Sequence, residues 1–149
     1  MSKPVQFFLR CDPEGRYFYA VEFHASRQSM LRAIAELEGR KLSDFTSLEL
    51  GSEAVCLRYR VSTKGVPPEI RRKHRLIGTI FFIRGRAPMS TVVHELAHAT
   101  VGWAKRTKVD PLHQTSRYAS CPEERFARTL QFMVEQFYEH APRALGNAA

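Results

Sequence analysis

The chain has 149 residues, 44% of them hydrophobic and 26% charged, a mixture typical of one folded domain rather than of a disordered or fibrous protein. Its longest apolar run, Leu76–Ile83, is far shorter than the roughly 20 residues that a membrane-spanning helix needs. The net charge of +8 favours nucleic acid or acidic proteins as partners, but it does not identify a function.

The N-terminal sequence and the cysteines indicate where the protein works. Arg10 and Asp12 interrupt the segment in which a signal peptide would continue its apolar core, so we expect no secretion signal. Cys11, Cys56 and Cys121 are widely spaced and form no CxxC pair, which favours reduced thiols. We therefore expect a cytoplasmic protein, not bound to membranes, with a single domain over residues 1–149.

The first 39 residues predict a β-hairpin and a helix. Residues 5–10 and 17–23 are short aromatic and β-branched runs on either side of the turn signal DPEG. Apolar positions then recur at helical spacing over residues 26–38, and Gly39 supplies a stop.

The middle of the chain predicts further strands. Residues 47–50 and 54–62 alternate between apolar and polar positions, as half-buried strands do. Residues 76–84 are nearly all apolar and rich in Ile and Phe, which is typical of a strand buried on both faces or packed under a helix. With the helices on either side, this pattern predicts an α+β fold with a small, mostly antiparallel sheet.

A helix over residues 91–103, with Ser90 as its N-cap, carries the most informative motif. At 100° per residue, His94 and His98 project side by side from one face, opposite an apolar stripe. Glu95 lies about 100° round the helix from His94. Together these residues form the pattern HExxH. The apolar stripe consists of Val92, Leu96, Ala99 and Trp103.

These residue types indicate zinc-dependent hydrolysis. Two neutral imidazoles suit Zn²⁺, and a catalytic zinc site adds a third protein ligand while leaving a fourth position for water. Zinc lowers the pKa of that water, and Glu95 can act as the general base that accepts its proton during attack on an amide carbonyl. The motif predicts a zinc metallopeptidase with His94 and His98 as metal ligands.

The third ligand is open among three residues. The metzincin pattern HExxHxxGxxH is excluded, because Val101 and Ala104 occupy its last two defining positions. A second amphipathic helix over residues 122–140 offers Glu124, which we favour, since Glu123 fits the capping box that starts at Ser120. Burial of Glu123 nearer the apolar face argues the other way, and His113, in the loop between the helices, is the third candidate. Arg117 and Tyr118 in the same loop are candidates for stabilising an oxyanion.

The sequence VVHELAHA, followed about 25 residues later by YASCPEERFA, resembles the gluzincin side of the zincin superfamily. The resemblance is nearest in character to small phage and plasmid zincins such as the ImmA/IrrE-like peptidases and ArdC-type antirestriction proteins. It implies a zincin-like fold, a strand before the HExxH helix, a glutamate helix carrying the Glu124 ligand in the ExxA motif, and a cytoplasmic protein substrate. The chain departs from the pattern at Arg128, where many gluzincins carry an acidic residue that orients a zinc-binding histidine.

One alternative of a different class is a zinc-stabilised module that performs no chemistry and binds nucleic acid or a protein partner through its basic surface. The charge of +8 and the basic run RRKHR at residues 71–75 motivate it. The sequence does not indicate the oligomeric state or the cleavage preference.

Overall fold

A computed structural model describes residues 2–13, 16–58, 60–61, 65–71, 75–112 and 121–144. The order of elements is β1, β2, α1, a short 3-10 turn over Leu42–Asp44, α2, β3, α3, β4, α4 and α5. The strands are β1 (Val5–Arg10), β2 (Phe18–His24), β3 (Ala54–Leu57) and β4 (Leu76–Ile83), and the helices are α1 (Arg27–Glu38), α2 (Ser47–Leu50), α3 (Pro68–Arg71), α4 (Met89–Thr107) and α5 (Pro122–Ala144).

In the described part of the chain, the four strands form one mixed sheet in the order β1-β2-β4-β3. The predicted hairpin is confirmed, because β1 and β2 pair antiparallel with Val5 opposite Phe23. β2 and β4 pair parallel, whereas β3 and β4 pair antiparallel with Cys56 opposite Ile80. The fold is thus α+β as predicted, and two of its three strand pairings are antiparallel.

The sheet separates two apolar layers because successive side chains of a strand point to opposite faces. On β4, Ile80 and Phe82 face the layer that contains α4 and α5, whereas Phe81 and Ile83 face α1. All four are buried, which confirms that this strand is covered on both sides. β4 therefore forms the centre of the core, and the segment that leads into α4 leaves directly from its end.

The end of α1 matches the predicted stop at Gly39, and the structure adds an N-cap at Ser26. The Ser26 side chain accepts a hydrogen bond from the backbone N–H of Ser29, and Gly39 ends the helix at φ +65°, where glycine carries no steric penalty.

Two helices continue beyond their predicted ends, α4 to Thr107 rather than 103 and α5 to Ala144 rather than 140. Three other predicted boundaries are wrong. Residues 47–50 form the helix α2 rather than a strand, because Thr46 and Glu49 make a reciprocal capping box with each other's backbone N–H. The strand predicted over residues 54–62 ends at Leu57. Beyond it, the Arg60 carbonyl accepts a hydrogen bond from the Thr79 side-chain hydroxyl, where a continuing strand would accept one from a backbone N–H.

The third boundary is the start of α4, at which Pro88 and not Ser90 is the N-cap residue. The extended backbone of Pro88 (ψ 161°) precedes the helix, and its carbonyl accepts from the Val92 N–H at 3.0 Å. Ser90 therefore lies inside the first turn.

Two further observations concern membrane-spanning helices and the cysteines. Among the described residues, none of the helices is both long enough and apolar enough to span a bilayer. Cys11, Cys56 and Cys121 are free thiols, and Cys11 is buried.

Candidate metal centre

The helix α4 presents its two faces as the periodicity predicts. Its apolar stripe is buried against the sheet and α5, whereas His94 and His98 lie exposed on the opposite side. The stripe residues Val92, Leu96, Ala99 and Trp103 are between 0% and 3% exposed. Burial of this stripe fixes the rotation of α4 about its axis and so directs both imidazoles outward.

The two imidazoles are arranged as a bidentate donor pair. The Nε2 atoms of His94 and His98 are 3.2 Å apart, and their ring centroids are 4.8 Å apart. Two nitrogens that bind one tetrahedral Zn²⁺ at about 2.0–2.1 Å lie about 3.3–3.4 Å from each other. The pair thus fits one zinc ion with little rearrangement.

The electrostatics of His98 favour the form that binds metal. Partial desolvation, and then the positive charges of His94 and Arg58, lower the pKa of His98 below its ordinary value. A lower pKa keeps the imidazole neutral near pH 7, and only the neutral ring offers a lone pair to a metal.

Glu95 is a buried carboxylate beside the pair. It is 7% exposed, and its Oε1 lies 4.0 Å from the Nε2 of His94. Burial raises the pKa of Glu95 above its usual value, although the charge of His94 and a hydrogen bond from the Cys56 backbone N–H partly oppose that rise. This bond joins the carboxylate to the edge strand β3 and orients it.

The predicted third ligand, Glu124, forms an ion pair on its own helix. Glu124 Oε1 accepts from Arg128 Nε at 3.0 Å, and Glu123 is exposed. Within the residues described, no third His, Cys, Asp or Glu joins His94 and His98. The candidates His113, Arg117 and Tyr118, and Ser120 of the capping box, fall outside the described residues. Arg128, the departure from the gluzincin pattern, is thus the ion-pair partner of the favoured ligand, which the sequence analysis did not anticipate.

Two clefts lie along α4 on the side of β3, one beside His94 and the other about one helical turn beyond His98. One, of about 350 Å³, adjoins the start of β3 and the first half of α4, and the other, of about 420 Å³, adjoins the end of β3 and the second half of α4. Glu53, Ala54, Ser90, Thr91, His94 and Glu95 line the first, and Arg58, Val61, Leu76, Ile77, Gly102, Lys105 and Arg106 line the second.

Apart from His94 and Glu95, sequence reasoning did not assign these lining residues to the site. Lys105 could have been found, because eleven residues after His94 correspond to about three turns and the same face of the helix. Glu53 and Arg58 could not, since nothing in their own segment shows that β3 lies beside α4.

Comparisons with known proteins leave the site to be judged on its own geometry. No protein-family model matches the chain, and no curated protein or solved structure matches it significantly.

Proposed function

We propose that this protein is a zinc-dependent metallopeptidase of the gluzincin type, with a zincin-like fold, that hydrolyses an intracellular protein substrate. The observation that carries the proposal is the 3.2 Å separation of the His94 and His98 Nε2 atoms beside the buried carboxylate of Glu95. A solvated surface helix has no reason to bury one carboxylate beside two outward-facing imidazoles, because burial of a charge is costly without a compensating role. A cytoplasmic location and an origin in a phage or mobile element belong to the same proposal through the family resemblance.

The roles of the residues follow from their chemistry. His94 and His98 would hold Zn²⁺, which when bound supplies Lewis acidity toward a water and toward the substrate carbonyl. Glu95 would accept a proton from the attacking water and return it to the departing amine. Its raised pKa suits both steps, since a base whose pKa lies nearer the working pH both takes and returns a proton readily. The Cys56 N–H keeps the carboxylate oriented between the two transfers.

Glu124 remains the proposed third ligand, with Glu123 and His113 as alternatives. Ligation by Glu124 requires that its carboxylate leave Arg128. Zinc affinity measured for Glu124→Gln, Glu123→Gln and His113→Ala would identify the ligand, because its loss should weaken binding most.

The central test combines metal content with proteolysis. The wild type, purified with zinc, should retain one ion per chain by mass spectrometry, and His98→Ala should lose it. Glu95→Gln should keep the metal while its cleavage of unfolded casein falls by about 10²- to 10⁴-fold, the usual contribution of a general base. Glu139→Gln, the same change at an exposed position of α5, should leave both unchanged. Full proteolysis by Glu95→Gln would reject the mechanism.

The net charge of +8 favours one second candidate, a zinc-stabilised module that binds nucleic acid without catalysis. Its affinity should fall steeply with salt, because each phosphate contact releases a counterion. Binding isotherms with single-stranded and duplex DNA at two salt concentrations test it, and absence of binding at low salt would exclude it.

A further inference from the structure

We propose that the cleft beyond His98 is a specificity site that selects substrates carrying an aspartate or glutamate next to an apolar residue, about two to four positions from the scissile bond. This inference rests on the proposed function, because it assigns a substrate class to the same groove.

The cleft combines positive charge with an apolar floor. Arg58, Lys105 and Arg106 contribute three cationic side chains to its wall. Val61, Leu76 and Ile77 contribute the apolar part of its lining. The described lining contains no acidic side chain. A carboxylate beside an aliphatic group complements both halves of this surface.

Packing holds Arg58 at the boundary between the cleft and the histidine pair. A Cβ atom placed on Gly102 would lie 3.2 Å from Arg58 Cγ and 3.3 Å from Arg58 Cδ, so the aliphatic stem of Arg58 rests close against the helix backbone. Gly102 itself lies one helical turn after His98 on α4, about 6 Å along the helix axis. The cleft therefore begins about one helical turn from the pair.

The two clefts lie along the same helix, α4, on the side of β3. The cleft on the other side of the pair is lined by Glu53 and Ala54 at the start of β3 and by His94 and Glu95 of α4. Along α4, Gly102 to Arg106 lie about 6–12 Å beyond the level of His98, at 1.5 Å per residue. An extended peptide rises about 3.3 Å per residue, which gives the spacing of about two to four residues from the bond to be cleaved.

The two ends of the groove differ in charge. At the far end Glu53 is held by Arg27 at 3.3 Å and by Arg86 at 3.6 Å, so that end carries paired charges. At the other end the described lining is cationic at Lys105 and Arg106 and contains no carboxylate, and this difference fixes which end of the groove receives the acidic residue.

The test compares cleavage preferences in a diverse peptide mixture analysed by mass spectrometry. Zinc-loaded wild type should cleave peptides enriched in Asp or Glu at one fixed position. Lys105→Glu combined with Arg106→Glu should abolish the enrichment or replace it with Lys and Arg. Lys3→Glu, an exposed position just before the opposite edge strand of the sheet, should retain it. Cleavage by wild type without acidic enrichment, or the same enrichment in the double variant, would overturn the inference.

A second measurement needs no cleavage. A fluorescent apolar peptide containing two glutamates should bind the full-length Glu95→Gln variant at least tenfold more tightly than its lysine counterpart, and Lys105→Gln with Arg106→Gln should remove the difference. If the acidic peptide bound more tightly but the protein cleaved no peptide, the cleft would still be a site for acidic peptides. Only the hydrolase proposal would then be rejected. Equal binding of both peptides, or displacement by single-stranded DNA more readily than by the unlabelled acidic peptide, would overturn it.

Discussion

At the scale of single residues, Glu95 is held in an environment that opposes its charge. Its pKa is raised by burial, so the folded chain binds its proton over a pH range in which the unfolded chain has already released it. The contribution of Glu95 to the free energy of unfolding therefore falls as the pH rises through that range. In the metal-free protein at neutral pH, an ionised Glu95 lowers the free energy of unfolding.

We therefore expect Glu95→Gln to raise the melting temperature of the EDTA-treated protein at pH 7. Gln has nearly the same shape and can still accept from the Cys56 N–H, but it carries no charge to desolvate. Below the pKa of an unfolded glutamate, about 4.3, the advantage should disappear. Calorimetric melts of both proteins across pH measure it.

Glu139→Gln provides the matched comparison, since Glu139 is exposed on α5. It should show little change in melting temperature at any pH. If Glu95→Gln melted below the wild type at pH 7, the assignment of Glu95 as an electrostatically costly site residue would be wrong.

The sequence predicts the residues of α4 well because their spacing and their faces are both local properties. His94, Glu95 and His98 lie where a 3.6-residue period puts them, and the structure confirms that both histidines are exposed. The sequence does not predict the burial of Glu95. The third ligand and the cationic cleft depend on which segments meet α4 in space. Neither Arg58 nor the Glu124–Arg128 ion pair follows from a periodic pattern.

At the scale of elements, the contact of α4 with the sheet depends on a glycine. A Cβ atom on Gly102 would collide with the hydroxyl of Tyr19, which is fully buried on β2. The helix can approach β2 this closely only because residue 102 has no side chain.

This contact reverses the usual effect of a helical glycine. Gly→Ala in a helix interior normally stabilises by about 0.5–1 kcal/mol. Here overpacking should cost about 1–3 kcal/mol, so we expect Gly102→Ala to be destabilising on balance. Urea unfolding of the wild type and the variant, followed by circular dichroism, gives the difference.

A double-mutant cycle tests the cause. In a Tyr19→Phe background the colliding oxygen is absent, so Gly102→Ala should cost less than it does in the wild type. Equal effects of Gly102→Ala in both backgrounds would show that the Tyr19 hydroxyl is not the obstacle.

Helices and strands could be predicted from the sequence where one local pattern dominated, and not where two patterns favoured different structures. The strand β1 and the capped helix α1 match the prediction closely, because alternation or helical period stands alone there. Residues 47–50 alternate as a strand would, yet the capping box of Thr46 and Glu49 closes a helical turn. The ion pair of Glu49 with Arg40 at 2.9 Å adds to that turn and lowers the pKa of Glu49 to about 2.

At the scale of the whole molecule, the apolar core and the histidine pair are separate. The core lies between the sheet and the helices on its two faces, and it includes Leu96 and Trp103 from the inner side of α4. His94 and His98 project from the outer side of the same helix. The position of the histidine pair therefore depends on the fold, whereas the packing that stabilises the fold does not involve His94 or His98.

This separation leads to a prediction that discriminates between the two candidate functions. A module whose structure depends on zinc is unfolded without it, because metal binding supplies its folding free energy. Here the described core includes neither His94 nor His98, so the EDTA-treated protein should retain its helical circular dichroism and a cooperative melt. Added zinc should raise the melting temperature only by mass action. At a zinc concentration 100-fold above Kd, zinc binding adds about 2.7 kcal/mol to the free energy of unfolding. His94→Ala combined with His98→Ala should fold normally and lose that zinc-dependent increase. Loss of the helical signal in EDTA would instead favour the zinc-stabilised binding module.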